Sequence, residues 1–252
     1  MAILQTDLVA YAAANMPQDE TSTNGGAIDP LRRVVLTDVA VADTVEVLSN
    51  NAADTMNITV VGRAASGVSV SETKALTGTT PISLSTLGTV ERILSADLAS
   101  APLGTVTVRR ATGAIVIGTI PVGERGFMRL FVNAYSDLTN PKNYYMKFFW
   151  KNTNSTLSLI NALVKQSADP STLITHLIAG SVNDTTTTAN RLTAPAAGTT
   201  LDPDVFDDND KAVPGGSLAA GAAIGVWLRL ALGASQAPAK TSYTSQCFGL
   251  ST

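Results

Sequence analysis

The sequence predicts an all-β protein: an antiparallel β-sandwich of jelly-roll or Ig-like type, in one or two lobes, with a short N-terminal helical arm and a long irregular segment. Three observations predict it. Short runs rich in Val, Ile and Thr recur about every 10–15 residues, the spacing of strands and turns. Turn residues, rather than helical patterns, separate these runs. Hydrophobic residues make up 45% of the 252 residues and charged residues only 15%, so the chain can fill a sizeable core.

Residues 3–14 (ILQTDLVAYAAA) place Ile3, Leu4, Leu8 and Tyr11 near helical spacing, and Pro17 ends the run. With the polar QDETSTNGGAIDP they make residues 1–30 an arm. The runs RVVLTDV, TVEVLS, NITVVG, VSVSETKAL, TVERIL, GTVTVRR, AIVIGTI and FMRLFVNAY follow. Val, Ile and Thr suit a pleated, half-buried surface. In GTVTVRR, Val106 and Val108 point one way and Thr105, Thr107 and Arg109 the other. The turn Ala111-Thr112-Gly113 joins this run to AIVIGTI as a hairpin. These runs form a lobe over 31–140, closed at Asn140-Pro141.

A second lobe, 141–252, opens with YYMKFFWKNTN. Period two puts Met146, Phe148 and Trp150 on one, wholly apolar face, and Tyr145, Lys147, Phe149 and Lys151 on the other. The mixed face suits the edge of a sheet or a subunit interface. Aromatics interleaved with lysines also suit a nucleic-acid strand, but a net charge of −3 leaves no overall surplus of cations to displace counterions, so direct nucleic-acid binding is not expected. The runs TLSLINALV and STLITHLIAG continue the β series. Residues 179–223, heavy in Thr, Ala, Gly, Pro and Asp, read as a long irregular connection of a kind that serves contact or flexibility. IGVWLRLALGA returns as a strand, with Val226, Leu228, Leu230 and Leu232 on one face and Trp227 and Arg229 on the other. The ending ASQAPAKTSYTSQCFGLST reads as a polar tail.

Motifs for chemistry are sparse. One cysteine, Cys247, permits no intrachain disulfide and no thiolate zinc site. One histidine, His176, sits among apolar residues and reads as a hydrogen-bonded strand residue. Neither a G-x-S-x-G elbow nor a Gly-rich phosphate loop occurs. Asp202, Asp204, Asp207, Asp208 and Asp210 cluster as calcium ligands do. Counted from Asp202, however, an EF-hand's required Gly and Glu are replaced by Asp207 and Val213, so a solvated loop is the default. Glu72, Glu91 and Glu124 are the glutamates considered as glycosidase acids. Asn57, Asn154 and Asn183 head N-x-T acceptor patterns that arise by chance in a Thr-rich chain. Trp227, Tyr145 and Phe149 are the aromatics for a carbohydrate-binding or adhesin module. The first residues lack a signal-peptide pattern, and no apolar stretch approaches the roughly 18 residues that cross a bilayer. No catalytic residue, metal site or cofactor is assigned, and no enzyme is expected.

Three stretches resemble virion structural proteins of tailed bacteriophages: DETSTNGGAIDPLRRVVLTDV, SVSETKALTGTTPISLSTLGTVERILSADLASAPLGTVTVRRATG and VPGGSLAAGAAIGVWLRLALGASQ. The resemblance implies a non-enzymatic, multi-copy part of a particle, at the neck or collar, on the head surface, or in the tail or baseplate. It implies partners among portal, capsid or tail components and copies of itself, with assembly in the host bacterial cytoplasm and no membrane. The expected contact elements are the arm at 1–30, the segment 179–223 and the C-terminal tail.

Overall fold

A computed structural model describes residues 2–237 and 242–251. Strands and turns account for almost all of it, and the only helical pieces among the described residues are three 3-10 turns. In chain order the strands are β1 (Leu8–Asn15), β2 (Asn24–Arg33), β3 (Val45–Ser49), β4 (Asn57–Ala64), β5 (Ser69–Ala75), β6 (Ile82–Ser83), β7 (Val90–Leu98), β8 (Val106–Arg110) and β9 (Val116–Ile120). There follow β10 (Gly126–Met128), β11 (Lys142–Asn152), β12 (Leu159–Ala168), β13 (Ile174–Val182), β14 (Thr187–Thr188), β15 (Lys211–Ala212), β16 (Ser217–Leu218), β17 (Ala223–Leu232) and β18 (Thr244–Ser251). Among the described residues the registered pairings are antiparallel, apart from the parallel contact of β10 with β2.

Two compact units form: Met1–Asp29 with Leu130–Thr252, and Pro30–Arg129. In the second, the end of β2 is followed by β10, β7, β4 and β5 in one sheet, while β6, β3, β8 and β9 make another. Val45 and Val47 from the latter share a core with Ile58, Val60, Ile93 and Phe127 from the former. The expected hairpin is β8–β9, with Val106 and Val108 buried and Gly113 at φ +75°, a left-handed turn position. Asp54 is buried in this unit and ties its loops: it accepts from the Ser49 hydroxyl and from the Leu103 and Gly104 N–H groups. Burial pushes its carboxyl up, but these donors outweigh that and hold it below the usual range.

In the other unit the sheet order is β13, β17, β11, β1 and then the start of β2, against which β14 pairs. A smaller sheet gathers β15, β16 and β18 around β12. β11 therefore lies between β1 and β17, and both its faces are covered. Met146, Phe148 and Trp150 are buried as period two requires, but so are Lys147 and Phe149 on the mixed face, which suits a sheet edge or a subunit interface. Trp150 Nε1 donates to Ser245 Oγ at 3.0 Å, joining β11 to β18.

Several sequence expectations change. Residues 8–15 form a strand, not an arm helix: Ala12 pairs with Phe148 and Leu8 with Asn152, and tertiary pairing overrides the helical spacing. Residues 2–29 group with Leu130–Thr252 in one compact unit, with β1 in its sheet, and the unit boundary after Arg129 precedes the proposed Asn140-Pro141 closure. FMRLFVNAY yields only the short β10 and then turns at Phe131 and Asn133, both at positive φ. RVVLTDV contributes just the end of β2. The ending is not a polar tail throughout: β18 pairs along β12 and buries Cys247, although residues 238–241 and 252 of that stretch lie outside the described residues. The segment 179–223 is only partly irregular: it holds the end of β13, the short strands β14, β15 and β16 and the start of β17, and it carries buried Asp184, Arg191 and Thr200.

Phe127 fills the middle of the core of Pro30–Arg129, and Gly118 makes room for its ring, since a Cβ there would lie 2.6 Å from it. Phe127→Ala is expected to destabilise that unit by about 3–5 kcal/mol, read from urea unfolding monitored by a probe in the unit.

Candidate functional site

The most unusual polar arrangement lies inside the sheet of β11 and β17. Lys147 is fully buried at the centre of β11. Its Nζ donates to the Gly26 carbonyl at 3.0 Å, to the Thr186 carbonyl at 3.2 Å and to Asp184 Oδ1. Asp184 is buried in the turn after β13, and its Oδ2 accepts from the Thr186 N–H at 2.9 Å and from the Thr186 hydroxyl. Two aromatic rings wall the pair: Nζ lies 4.8 Å from the Phe149 centroid and 5.4 Å from that of Trp227. Burial pulls the Lys147 pKa down, against the opposing pull of Asp184.

Local sequence makes this possible. Asn183 adopts φ +56°, a left-handed conformation that Asn tolerates, and its Oδ1 accepts from the Ala223 N–H at 2.9 Å. That bond turns the chain at the end of β13 and brings Asp184 over β17. Gly225 faces the pair, and a Cβ there would lie 2.8 Å from Lys147 Cε and 3.2 Å from Asp184 Oδ1. Gly25, at φ +88°, leaves room for Trp227, whose ring a Cβ would meet at 2.7 Å. Sequence reasoning missed this site. Locally, Asn183-Asp184-Thr185 reads as a glycosylation pattern, and Lys147 as part of a mixed face suited to a sheet edge or a subunit interface. The available signal was a lysine with aromatics on both sides in the middle of a long strand.

The residues singled out from sequence fall elsewhere. Glu124 takes two bonds from Arg33, at 2.6 and 2.7 Å, Glu91 pairs with Arg63 at 2.7 Å, and Glu72 accepts from the Leu87 N–H at 2.8 Å. Each of these carboxylates thus has its own structural partner. Asp204 accepts from the Gly198 N–H and the Thr200 hydroxyl, and Asp207 pairs with Lys211 at 2.5 Å. Asp202, Asp210 and Lys211 border a cleft of about 220 Å³ with Leu177, Leu201 and Val205. No group of three or more His, Cys, Asp or Glu is placed to hold a metal ion among the described residues. Asn57 is exposed at the start of β4, whereas Asn154 closes a turn by accepting from the Thr156 and Leu157 N–H groups. Trp227 and Phe149 are fully buried and offer no face to a sugar, while Tyr145 packs edge-on against Phe206 at 5.5 Å.

His176 is buried on β13, and its backbone exchanges hydrogen bonds with Asp207. The expectation of a hydrogen-bonded histidine holds for the backbone but not for the ring, since neither ring nitrogen meets a partner at full hydrogen-bond geometry. Burial and then the Lys211 charge lower its pKa, partly offset by the Val164 backbone, Asp207 and Asp210. Cys247 pairs with Val164 across β18 and β12, and burial pushes its thiol up to about 12, away from nucleophilic use at neutral pH.

No protein-family model, curated protein or solved structure matches the chain.

Two measurements check these environments. With the folded His176 pKa below the ordinary 6.5, the unfolded chain binds the extra proton first as pH falls. This contribution is full above about pH 6.5 and declines below it, so the urea midpoint should drop between about pH 7.5 and about pH 5.5, less steeply in His176→Gln. Cys247 should resist a thiol reagent in the folded protein at about pH 8 and react promptly in denaturant.

Proposed function

We propose that the chain is a non-enzymatic structural component of a tailed-phage virion, assembled in many copies at the neck or collar or on the head surface. A place in the tail or baseplate is the neighbouring possibility, and a jelly-roll or Ig-like sandwich is the proposed form of its paired sheets. The observation that carries the reading is where the ionisable groups are spent. The glutamates, Asp204, Asp207 and Asp184 are committed to arginines, lysines, backbone N–H groups and hydroxyls that hold strands and loops. What remains on the outside is suited to touching. Leu138, Leu103 and Val41 are exposed apolar side chains, and Ile115 and Val116 are half-exposed at the start of β9, which ends its sheet.

The sequence resemblance points in the same direction, and the sheet ends add a means. β5 and β9 end their sheets, and an end strand has an outer row of backbone donors and acceptors that a neighbouring chain can pair with. Such pairing can repeat from copy to copy as a heterologous interface, closing a ring when the rotation allows. In this reading the contacts come from sheet ends and from the surface of 179–223, with portal, capsid or tail components and further copies as partners. The adhesin alternative loses two of its three aromatics to the core.

Mass spectrometry of virions purified from the source should find this chain at high copy number, and cryo-EM should place it in fixed symmetry. Its absence from virions ends the reading.

A further inference from the structure

We propose that Lys147 and Asp184 condense into an intramolecular isopeptide bond between Nζ and Cγ, tying the centre of β11 covalently to the turn after β13. Five features of the site carry this.

The two reacting groups already touch and are held there by separate elements, so the condensation has the character of a unimolecular step. The site is dry, with the lysine side chain fully buried and that of the aspartate nearly so. Phe149 and Trp227 line it, which disfavours the separated charges and keeps out the water that would reverse the reaction. The Gly26 and Thr186 carbonyls hold two N–H bonds of the lysine, which leaves the third direction, that of the amine lone pair, toward the carboxyl group. The Thr186 N–H and hydroxyl both donate to Oδ2, where negative charge collects when nitrogen adds to Cγ. Gly225 completes the site by omission, because a side chain there would press on both partners.

The atoms balance. One ammonium proton passes to Oδ1, leaving a neutral amine and a carboxylic acid. The Nζ lone pair forms a bond to Cγ, and charge moves to Oδ2. A second Nζ proton passes to the Oδ1 hydroxyl, which leaves as water while the carbonyl reforms at Oδ2. The ion pair becomes one amide and one water, with nothing oxidised or reduced. The remaining N–H serves one of the two carbonyls. Burial also favours the neutral amine, since it pulls the Lys147 pKa down. The inference stands independently of the virion reading.

The decisive experiment is intact-mass analysis and peptide mapping of the full chain, purified and then unfolded. The expected result is a mass lower than the sequence by one water. A single joined peptide should contain both Lys147 and Asp184, with no tryptic cut after Lys147 and no labelling of its amine in denaturant. Lys147→Met should restore the full mass; if it fails to fold, the wild-type map still decides. A full mass after prolonged incubation, with Lys147 cut and labelled normally, overturns the proposal. So does a lost water confined to an unjoined peptide, which marks a cyclised aspartate instead.

Discussion

The Met1–Asp29/Leu130–Thr252 unit depends on β11 being covered on both faces. A strand with neighbours on both edges and packing above and below has no wet side, so every polar atom on it needs an internal partner. Lys147 meets that demand through Asp184 and two carbonyls, and the demand explains the features around it. The left-handed Asn183 turns the chain at the right place, Gly225 leaves space, and the start of β2 presents the Gly26 carbonyl. A buried ion pair contributes little net stability over an apolar replacement, but losing one partner is costly. The pair therefore works mainly by dictating arrangement: the 183–186 turn has to lie over β17, and the first strands have to lie beside β11.

Buried cations recur as fasteners of irregular chain. Arg191 is fully buried and donates to the Val132 and Asn133 carbonyls at 2.5 and 2.7 Å, with its guanidinium 4.8 Å from the Tyr144 ring centroid. Burial pulls its pKa down, opposed by Tyr144 and then Glu20. Within Pro30–Arg129, Arg129 donates to the Ile93 carbonyl and to Asp38, and its pKa falls to about 10, mainly through burial. A chain with few helices and long connections has many backbone carbonyls outside ladders, and a guanidinium answers two of them at once. The long connections thus become ordered parts of the units that contain them.

Much of the architecture was legible in the sequence. The β8–β9 hairpin, the burial of Val106 and Val108, and the inward set Met146, Phe148 and Trp150 follow from alternation and turn chemistry alone. Residues 3–14 misled because alanine-rich runs fit a helix as readily as a buried strand, and only pairing with β11 decides between them. The ending misled for a related reason. Ser, Thr and Gln dominate it, yet alternate residues such as Cys247 face inward once β12 offers an edge. The candidate site was nearly illegible, because Lys147 and Asp184 lie far apart in the chain and each has an ordinary local reading.

By itself the sequence determined the β character of the chain, the rhythm of strands such as β8, β11 and β17, and its single cysteine and single histidine, since these depend on local spacing and on residue counts. Tertiary structure alone decided which strands are central and which lie at sheet ends, and therefore which second faces are dry. That decision turned a lysine that reads as a sheet-edge or interface residue into a buried cation facing a carboxylate, because burial on both sides is a property of neighbours, which no local pattern encodes.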